Sequence, residues 1–279
     1  MKRLVAVVLV TLLLFSLTAC GGNTTTAENE PPASDAGQVE PEQTGQETDS
    51  AQAGDGKGVL CENYRSYKNA RDDFQGYVLE QSENHEIVST KVSMVTAFDL
   101  KIFNYVLPLE FLGESFSVYG KHDKDMETMM LQTAWAKDAD LTYNGAGSYN
   151  LKGTDTDGSA LGIRAMYDDA SDSLRMEGYK NGELVVVFEY VKTTGGYAAQ
   201  YYFETVSGFD KATPITEFCT YRTIFDGNDG SCARFDGMDS EPSTIFCVVP
   251  EAASFIDGAT HWFTVSNGEF TGNLGGTGF

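Results

Sequence analysis

The sequence contains few of the residues on which catalysis and metal binding commonly rely. It has 3 histidines, 5 cysteines and 2 tryptophans among 279 residues. None of His85, His122 and His261 belongs to the H-E-x-x-H motif of zinc hydrolases. The G-x-S-x-G turn that presents a nucleophilic serine is also absent. The sequence therefore predicts no catalytic residue, no metal site and no cofactor.

Basic residues are scarce as well. Lysine and arginine together number 19 against 41 aspartates and glutamates, which gives a formal net charge of −22. Such a surface repels phosphate-rich partners, so we expect no nucleic-acid ligand. An excess of acidic residues is typical of a soluble extracytoplasmic protein, because the net charge keeps the protein in solution.

Aspartate-rich turns raise the question of calcium. An EF-hand register over the turn at 153–158 would place Gly153 at the first ligand position and Arg164 at the twelfth. Both positions need carboxylates, so the register fails. We interpret this turn and the one at 226–230 as hairpin connections, which favour Asp, Asn and Gly.

One long apolar run is present, at the N-terminus. Lys2 and Arg3 precede an apolar stretch from Leu4 to Leu17, which leads into Leu17-Thr18-Ala19-Cys20. The stretch is shorter than the about 20 residues of a membrane-spanning helix. A secretory signal cut at another bond is the other alternative.

This segment resembles the lipobox of bacterial lipoprotein precursors. The resemblance implies that residues 1–19 are a signal peptide and that lipid, palmitate included, is attached to Cys20 as the new N-terminus. It also implies an anchor on the extracytoplasmic face of the bacterial membrane, with the lipid bilayer as a partner through the acylated cysteine. Attachment through more than one acyl chain would be stable without further contacts.

Residues 20–58 follow as the lipidated cysteine and a polar segment. Between residues 21 and 58, eight acidic residues face a single lysine, and Val39 is the only large apolar residue. Such a composition cannot bury enough apolar surface to fold, so we expect a disordered acidic tether. A partner-binding tail is the alternative. Residues 59–279 then form a single globular domain with a charge balance of −17, from 33 acidic and 16 basic residues.

The first third of this domain predicts helices. Leu60, Tyr64, Tyr67, Phe74 and Val78 recur at helical spacing over residues 60–81. Residues 88–112 suit a helix or a strand, and their length favours a helix. A shorter helix is predicted over 123–137, where Met126, Met129 and Met130 form a stripe that fills a core or lines a groove.

From about residue 140 the pattern becomes that of a sheet. Alternating residues predict strands at 141–143, 148–151, 161–167, 174–177, 183–192, 197–204, 215–225, 232–236, 243–249 and 261–266. Asn181-Gly182 predicts a tight hairpin. The fold class is therefore α+β, with N-terminal helices packed on a curved antiparallel meander. This order is similar to the half-barrel folds of lipoprotein carriers, a resemblance of architecture without a shared motif.

Four cysteines remain in the domain: Cys61, Cys219, Cys232 and Cys247. An even number in an exported chain permits two disulfides with three connectivities, whereas buried free thiols are the alternative. Their spacing fits no zinc pattern.

Aromatic residues crowd two neighbouring strands. Consecutive Tyr201 and Tyr202 must point to opposite faces, so one face presents tyrosine away from the main core. Tyr190 and Tyr202 are our candidate ligand-binding residues, for an apolar, peptide or sugar ligand. Cross-strand pairing alone also favours tyrosine here.

The sequence thus favours a membrane-anchored, non-catalytic binding or chaperone-like envelope protein. An envelope hydrolase with an unrecognised site and a structural surface protein are the alternatives. A convergent polar cleft would favour the hydrolase, an apolar cavity between sheet and helices would favour the binding protein, and a filled core with neither would favour the structural protein.

Overall fold

The computed structural model describes residues 57–97, 99–112, 117–118, 121–122, 124–207 and 215–279. The predicted signal peptide, Cys20 and nearly all of the predicted tether lie outside these ranges, and so does the predicted lipid attachment. Within the described ranges, no helix combines the length and the apolar character needed to cross a membrane.

A long helix opens the described chain. Helix α1 spans Lys57–Ser82, which confirms the helix predicted over 60–81. Its predicted apolar face is the buried one, since Leu60, Tyr67 and Phe74 are at most 1% exposed. The spacing of three and four residues puts these side chains on one side of the helix.

The ambiguous segment at 88–112 is helical, in short pieces. Helix α2 spans Glu86–Lys91, α3 Ser93–Thr96 and α4 Asp99–Val106, and a 3₁₀-helix follows at Leu107–Phe111. Pro108 stands in the first turn of that 3₁₀-helix, where its missing N–H is not needed. His85 caps α2, because its Nδ1 accepts a hydrogen bond from Val88 N.

A two-residue hairpin and a further helix complete the helical third. Strands β1 (Ser117–Val118) and β2 (Lys121–His122) pair with each other apart from the main sheet. Helix α5 spans Lys124–Ala134, within the predicted range, and buries Leu131.

The remaining strands form one antiparallel sheet of 11 strands, in which each strand pairs with its neighbours in sequence. The strands are β3 Asp140–Gly145, β4 Ser148–Thr154, β5 Ala160–Asp168, β6 Ser173–Lys180, β7 Glu183–Lys192, β8 Gly196–Ser207, β9 Ile215–Asp226, β10 Asp229–Met238, β11 His261–Ser266, β12 Glu269–Leu274 and β13 Thr277–Gly278. The sheet is open, with β3 and β13 at its edges, and does not close into a barrel. The fold is therefore α+β and mostly sheet.

One predicted strand is wrong. Residues 243–249 form a loop, and helix α6 (Ala252–Ile256) follows it. The backbone N–H groups of Ile245 and Cys247 donate to the side chains of Glu189 and Ser173. Side-chain acceptors on the sheet thus take the place of the neighbouring strand that the pattern implied.

The main core lies between the helices and one face of the sheet. It contains the α1 rings together with Met176, Phe188, Tyr201 and Phe263 from the sheet. A smaller cluster of Val191, Ala198, Ile245 and Phe255 lies on the other face, under the loop. Strand β7 contributes to both clusters, which explains why its sequence is apolar on both sides.

The hairpin turn between β6 and β7 gives the first testable expectation. Asn181 and Gly182 have φ of 53° and 88°, as a two-residue turn of positive φ requires. Replacing Gly182 by Val should lower the free energy of unfolding by about 1–2 kcal/mol, because a branched side chain resists this conformation. Urea unfolding measures the change. Gly182→Asn is the control, since Asn tolerates positive φ, and equal midpoints for the two variants would contradict the expectation.

Candidate functional site

The second face of the sheet is covered over one half and open over the other. The loop at 239–251 and helix α6 lie across the central strands, where Gln200 Nε2 donates to Ser243 O and Arg222 Nη1 donates to Phe255 O. Over β3–β6 the side chains on this face are exposed or partly exposed, while the alternate side chains of β4, β5 and β6 point into the core. We call the exposed half the open face.

A buried carboxylate holds the covering loop in place. Glu189 on β7 is 0% exposed. Arg175 Nη1 donates to its Oε1 at 2.5 Å, and Thr244 Oγ1 donates to the same oxygen at 2.5 Å. Its Oε2 accepts from Gln200 Nε2 at 2.7 Å and from Ile245 N at 3.0 Å. Both oxygens are satisfied, which a buried charge needs in order to be tolerated.

Arg175 links this buried carboxylate to the open face. Besides Glu189, it forms ion pairs with Glu177 at 2.9 Å and with Glu241 at 2.8 Å. Glu241 belongs to the loop, and Glu177 belongs to the open face. Arg175 thus stands at the border between the covered and the open half.

A depression of about 500 Å³ lies on the open face. Its floor is at Gly162, which pairs with Lys152 on β4 and with Tyr179 on β6. Asn150 and Arg164 pair with each other two residues further along β4 and β5, on the same face. A second depression, of about 270 Å³, shares Asn150 and Arg164 and extends towards Asn144, Met166 and Arg175. The two depressions together form a groove across the open face.

Tyr179 forms a fixed wall of the groove. Its hydroxyl donates to Glu177 Oε2 at 2.6 Å and accepts from Arg164 Nη1 at 3.3 Å. The Arg164 guanidinium carbon lies 4.9 Å from the centre of the Tyr179 ring, which is within the range of a cation–π contact. Burial and the bond to Glu177 raise the pKa of Tyr179, so the phenol stays protonated and remains a donor.

Packing against neighbouring side chains does not explain why residue 162, at the floor of the groove, is a glycine. On the opposite, helix-facing side, a Cβ at Gly153 would lie 2.6 Å from Ala136 Cβ, and one at Gly178 would lie 2.4 Å from Tyr105 Cδ1. Packing therefore requires glycine at both positions. A Cβ at Gly162 would meet only Tyr179 Cβ, at 3.6 Å, which is ordinary contact. A glycine inside a strand accompanies a bulge, a tight bend or a site where another molecule approaches the backbone, and the groove above Gly162 favours the third of these.

The two tyrosines proposed from the sequence are both interior. Tyr190 is 0% exposed and stacks on Tyr67 of α1 with 4.5 Å between ring centres. Tyr202 points to the other face, is 6% exposed and stacks on Phe218 at 4.7 Å. They do not share a surface and do not form an exposed platform. Tyr179, which the sequence argument passed over, is the partly exposed tyrosine that lines the groove.

The four domain cysteines are free thiols in the structure, with Cys247 exposed and the other three buried. Cys219 and Cys232 lie on neighbouring strands, but Cys232 pairs with Thr223. Four residues of strand, about 13 Å, therefore separate the two thiols, well beyond the reach of a disulfide. Cys247 lies over the other face, against Ser173. A disulfide that involves Cys61 stays a prediction.

The structure offers little to a hydrolase within the described residues. His261 Nε2 lies 3.6 Å from Asp236, and its Nδ1 accepts from Gly275 N, without a hydroxyl or thiol nucleophile among these contacts. No group of three metal-binding side chains occurs in the part of the chain that the structure describes. In the methionine stripe of α5, Met129 is 51% exposed and so does not belong to the core.

The ion pair beneath the loop yields the second expectation. Replacing Arg175 by Met should lower the free energy of unfolding by about 3–5 kcal/mol, because Glu189 would remain buried without its partner charge. Denaturant unfolding of the full chain measures this change.

Lys192→Met is the matched control for Arg175→Met. Lys192 is 58% exposed and lies 3.4 Å from Asp172, so its loss should cost about 1 kcal/mol or less. Equal costs for the two variants would show that Glu189 does not depend on Arg175.

No protein-family model, no curated protein and no solved structure matches this chain. The groove and its residues therefore carry the functional argument by themselves.

Proposed function

We propose that this chain is a lipid-anchored, non-catalytic binding protein of the bacterial envelope and that it binds carbohydrate in the groove on its open face. The anchor rests on the lipobox-like Leu17-Thr18-Ala19-Cys20. The binding role rests on one observation above all, which is Gly162, a glycine unexplained by packing at the floor of a polar groove.

The chemistry of the lining supports a hydroxyl-rich ligand. Thr142 and Asn150 line the larger depression, and Ser148 and Asn144 line the smaller one. Each of these side chains can donate and accept hydrogen bonds, as sugar hydroxyls do. Tyr179 adds a flat apolar ring with a polar end. Leu151, Leu161 and Ile163 also line the larger depression, but their side chains are buried, and Met166 adds an exposed apolar side chain to the smaller one. A polar groove of this size with one aromatic wall suits a sugar better than an apolar ligand.

A carrier of the half-barrel type would hold its ligand between helices and sheet. In this chain, Tyr67 of α1 packs there against Phe188 and Tyr190, with 5.8 Å and 4.5 Å between ring centres. These three rings are at most 1% exposed. We therefore place the ligand on the other face of the sheet.

The lipid anchor is tested by replacing Cys20 with Ser. The variant should lack added acyl mass, because no thiol remains to accept lipid. If it is cut after residue 19 it should also leave the membrane fraction, whereas an uncut chain stays bound through its apolar run at 4–17. Fractionation and intact-mass measurement give the result. A wild-type chain without added acyl mass, or a Cys20→Ser chain that is cut after residue 19 and still stays fully in the membrane fraction, would overturn the anchor.

The binding site is tested at Gly162. The probe is the polysaccharide fraction extracted from the envelope of the source bacterium, and the measurement is its co-sedimentation with the full-length chain. Gly162→Val should abolish binding, because the side chain fills the floor of the groove. The free energy of unfolding should stay equal or rise, since glycine within a strand costs about 0.5–1 kcal/mol relative to alanine.

Gly153→Val is the matched control for Gly162→Val. It lies on the helix-facing side, where a Cβ meets Ala136 at 2.6 Å, so it should destabilise the fold through overpacking. A wild-type chain that binds none of the extracted polysaccharide, or a Gly162→Val chain that binds it normally, would overturn the proposed site.

A further inference from the structure

The two cations in the groove differ from the other cations of the main sheet. Arg175, Lys180, Lys192 and Arg234 each form an ion pair with a carboxylate. Arg222 lies between the rings of Phe235 and Phe255 and donates to a carbonyl. Lys152 and Arg164 are exposed, and neither forms an ion pair with any residue that the structure describes.

These two cations are close to each other. Lys152 pairs with Gly162, and Arg164 stands two residues further along the same strand, on the same face. Diagonal neighbours of this kind are about 7–8 Å apart, within reach of long side chains. Like charges at this separation repel each other. The chain has more than twice as many acidic as basic residues, so two neighbouring cations without an ion pair are unexpected.

Two carboxylates border the groove and offset part of its positive charge, since Glu177 lies directly opposite Arg164 on the neighbouring strand and attracts it. Asp140 pairs with Lys152 across β3 and β4, yet no ion pair forms between them. Glu177 is committed to Arg175 at 2.9 Å and to the Tyr179 hydroxyl at 2.6 Å. Arg164 reaches Glu177 through that hydroxyl, at 3.3 Å from it, and its remaining N–H groups are free to bind a ligand.

We propose that the ligand of the groove is an acidic carbohydrate, with its anionic group over Gly162 between Lys152 and Arg164. The absence of a side chain at Gly162 leaves room for the group at the level of the strands, and the two cations supply charge-assisted hydrogen bonds from two sides. Tyr179 holds the guanidinium in place and supplies the surface for the sugar ring. This inference rests on the proposed function and names the chemical class of its ligand.

The experiment compares four probes by calorimetric titration of the full-length chain in detergent. The probes are a galacturonate oligomer, which carries carboxylates, a phosphorylated mannan, which carries phosphates on sugar rings, neutral dextran, and inorganic phosphate alone. We expect at least one of the two acidic polymers to bind and dextran to fail. Binding should weaken as salt rises, because the cations are exposed and are screened.

Charge variants locate the effect in the groove. Lys152→Gln and Arg164→Gln should each weaken binding of the acidic polymer about ten-fold, as the loss of one charge-assisted hydrogen bond implies. Arg164→Lys should weaken it less, since the charge remains while the planar donor is lost. Lys192→Gln removes the same charge outside the groove and should bind as the wild type does. Unfolding midpoints of all variants should agree with that of the wild type.

The outcomes separate this inference from the proposed function. If dextran binds as well as the acidic polymers, and Gly162→Val abolishes that binding, the groove is a carbohydrate site but the acidic class is wrong. If an acidic polymer binds and Lys192→Gln weakens it as much as Lys152→Gln does, binding is non-specific and the inference is overturned. Binding of inorganic phosphate alone, without preference for either polymer, would also overturn it.

Discussion

The packing of α1 against one face of the sheet is the constraint on which the rest of the structure depends. Tyr67 stacks on Tyr190 at 4.5 Å, and Phe74 stacks on Phe225 at 5.0 Å. Strands β7 and β9 lie at the middle of the sheet, so one helix covers its centre. Because side chains alternate along a strand, this contact decides which residues of every strand enter the core and which face outward.

The outward face of the sheet is covered by a loop over one half and exposed to solvent over the other. Over the central strands, the loop before α6 covers the sheet, and a buried glutamate receives four hydrogen bonds from loop and sheet. Over β3–β6 the loop is absent, and the alternation exposes polar side chains together with Gly162. Arg175 bonds to carboxylates of both halves, so the boundary of the groove depends on the same residue that stabilises the loop.

Local patterns in the sequence predicted local structure well. The helical spacing of Leu60, Tyr67 and Phe74 gave α1, and Asn181-Gly182 gave the hairpin turn, since both depend on neighbours in sequence. The strand predicted at 243–249 was wrong, because Glu189 and Ser173, more than fifty residues away, bind its backbone. The exposure of Tyr190 and Tyr179 depends on where α1 and the loop lie. The alternation of side chains along a strand does not predict those positions.

The groove itself left a weak signal in the sequence. Gly162 interrupts an alternating strand two residues before Arg164, and glycines at 153 and 178 give the same signal for a different reason. Separating them requires knowing that Ala136 lies close to Gly153, that Tyr105 lies close to Gly178, and that a Cβ at Gly162 would make only an ordinary contact with Tyr179. That knowledge comes from contacts between helices and sheet, so no inspection of the strand alone could have supplied it.

The net charge of the chain and the cations of the groove act over different distances. At physiological salt the Debye length is about 8 Å, so most of the acidic residues act only weakly on a group held over Gly162. In the proposed complex, Lys152 and Arg164 lie within reach of such a group and would supply most of the electrostatic attraction to it. At longer range the overall charge of −22 repels any polyanion and slows its approach. A polyanion that cannot place an anionic group in the groove has no local attraction to compensate for this repulsion. If the groove binds an acidic ligand as proposed, the acidic surface adds selectivity: it disfavours non-specific association with nucleic acid and other polyanions, while leaving the local attraction of the groove for a fitting acidic ligand largely intact.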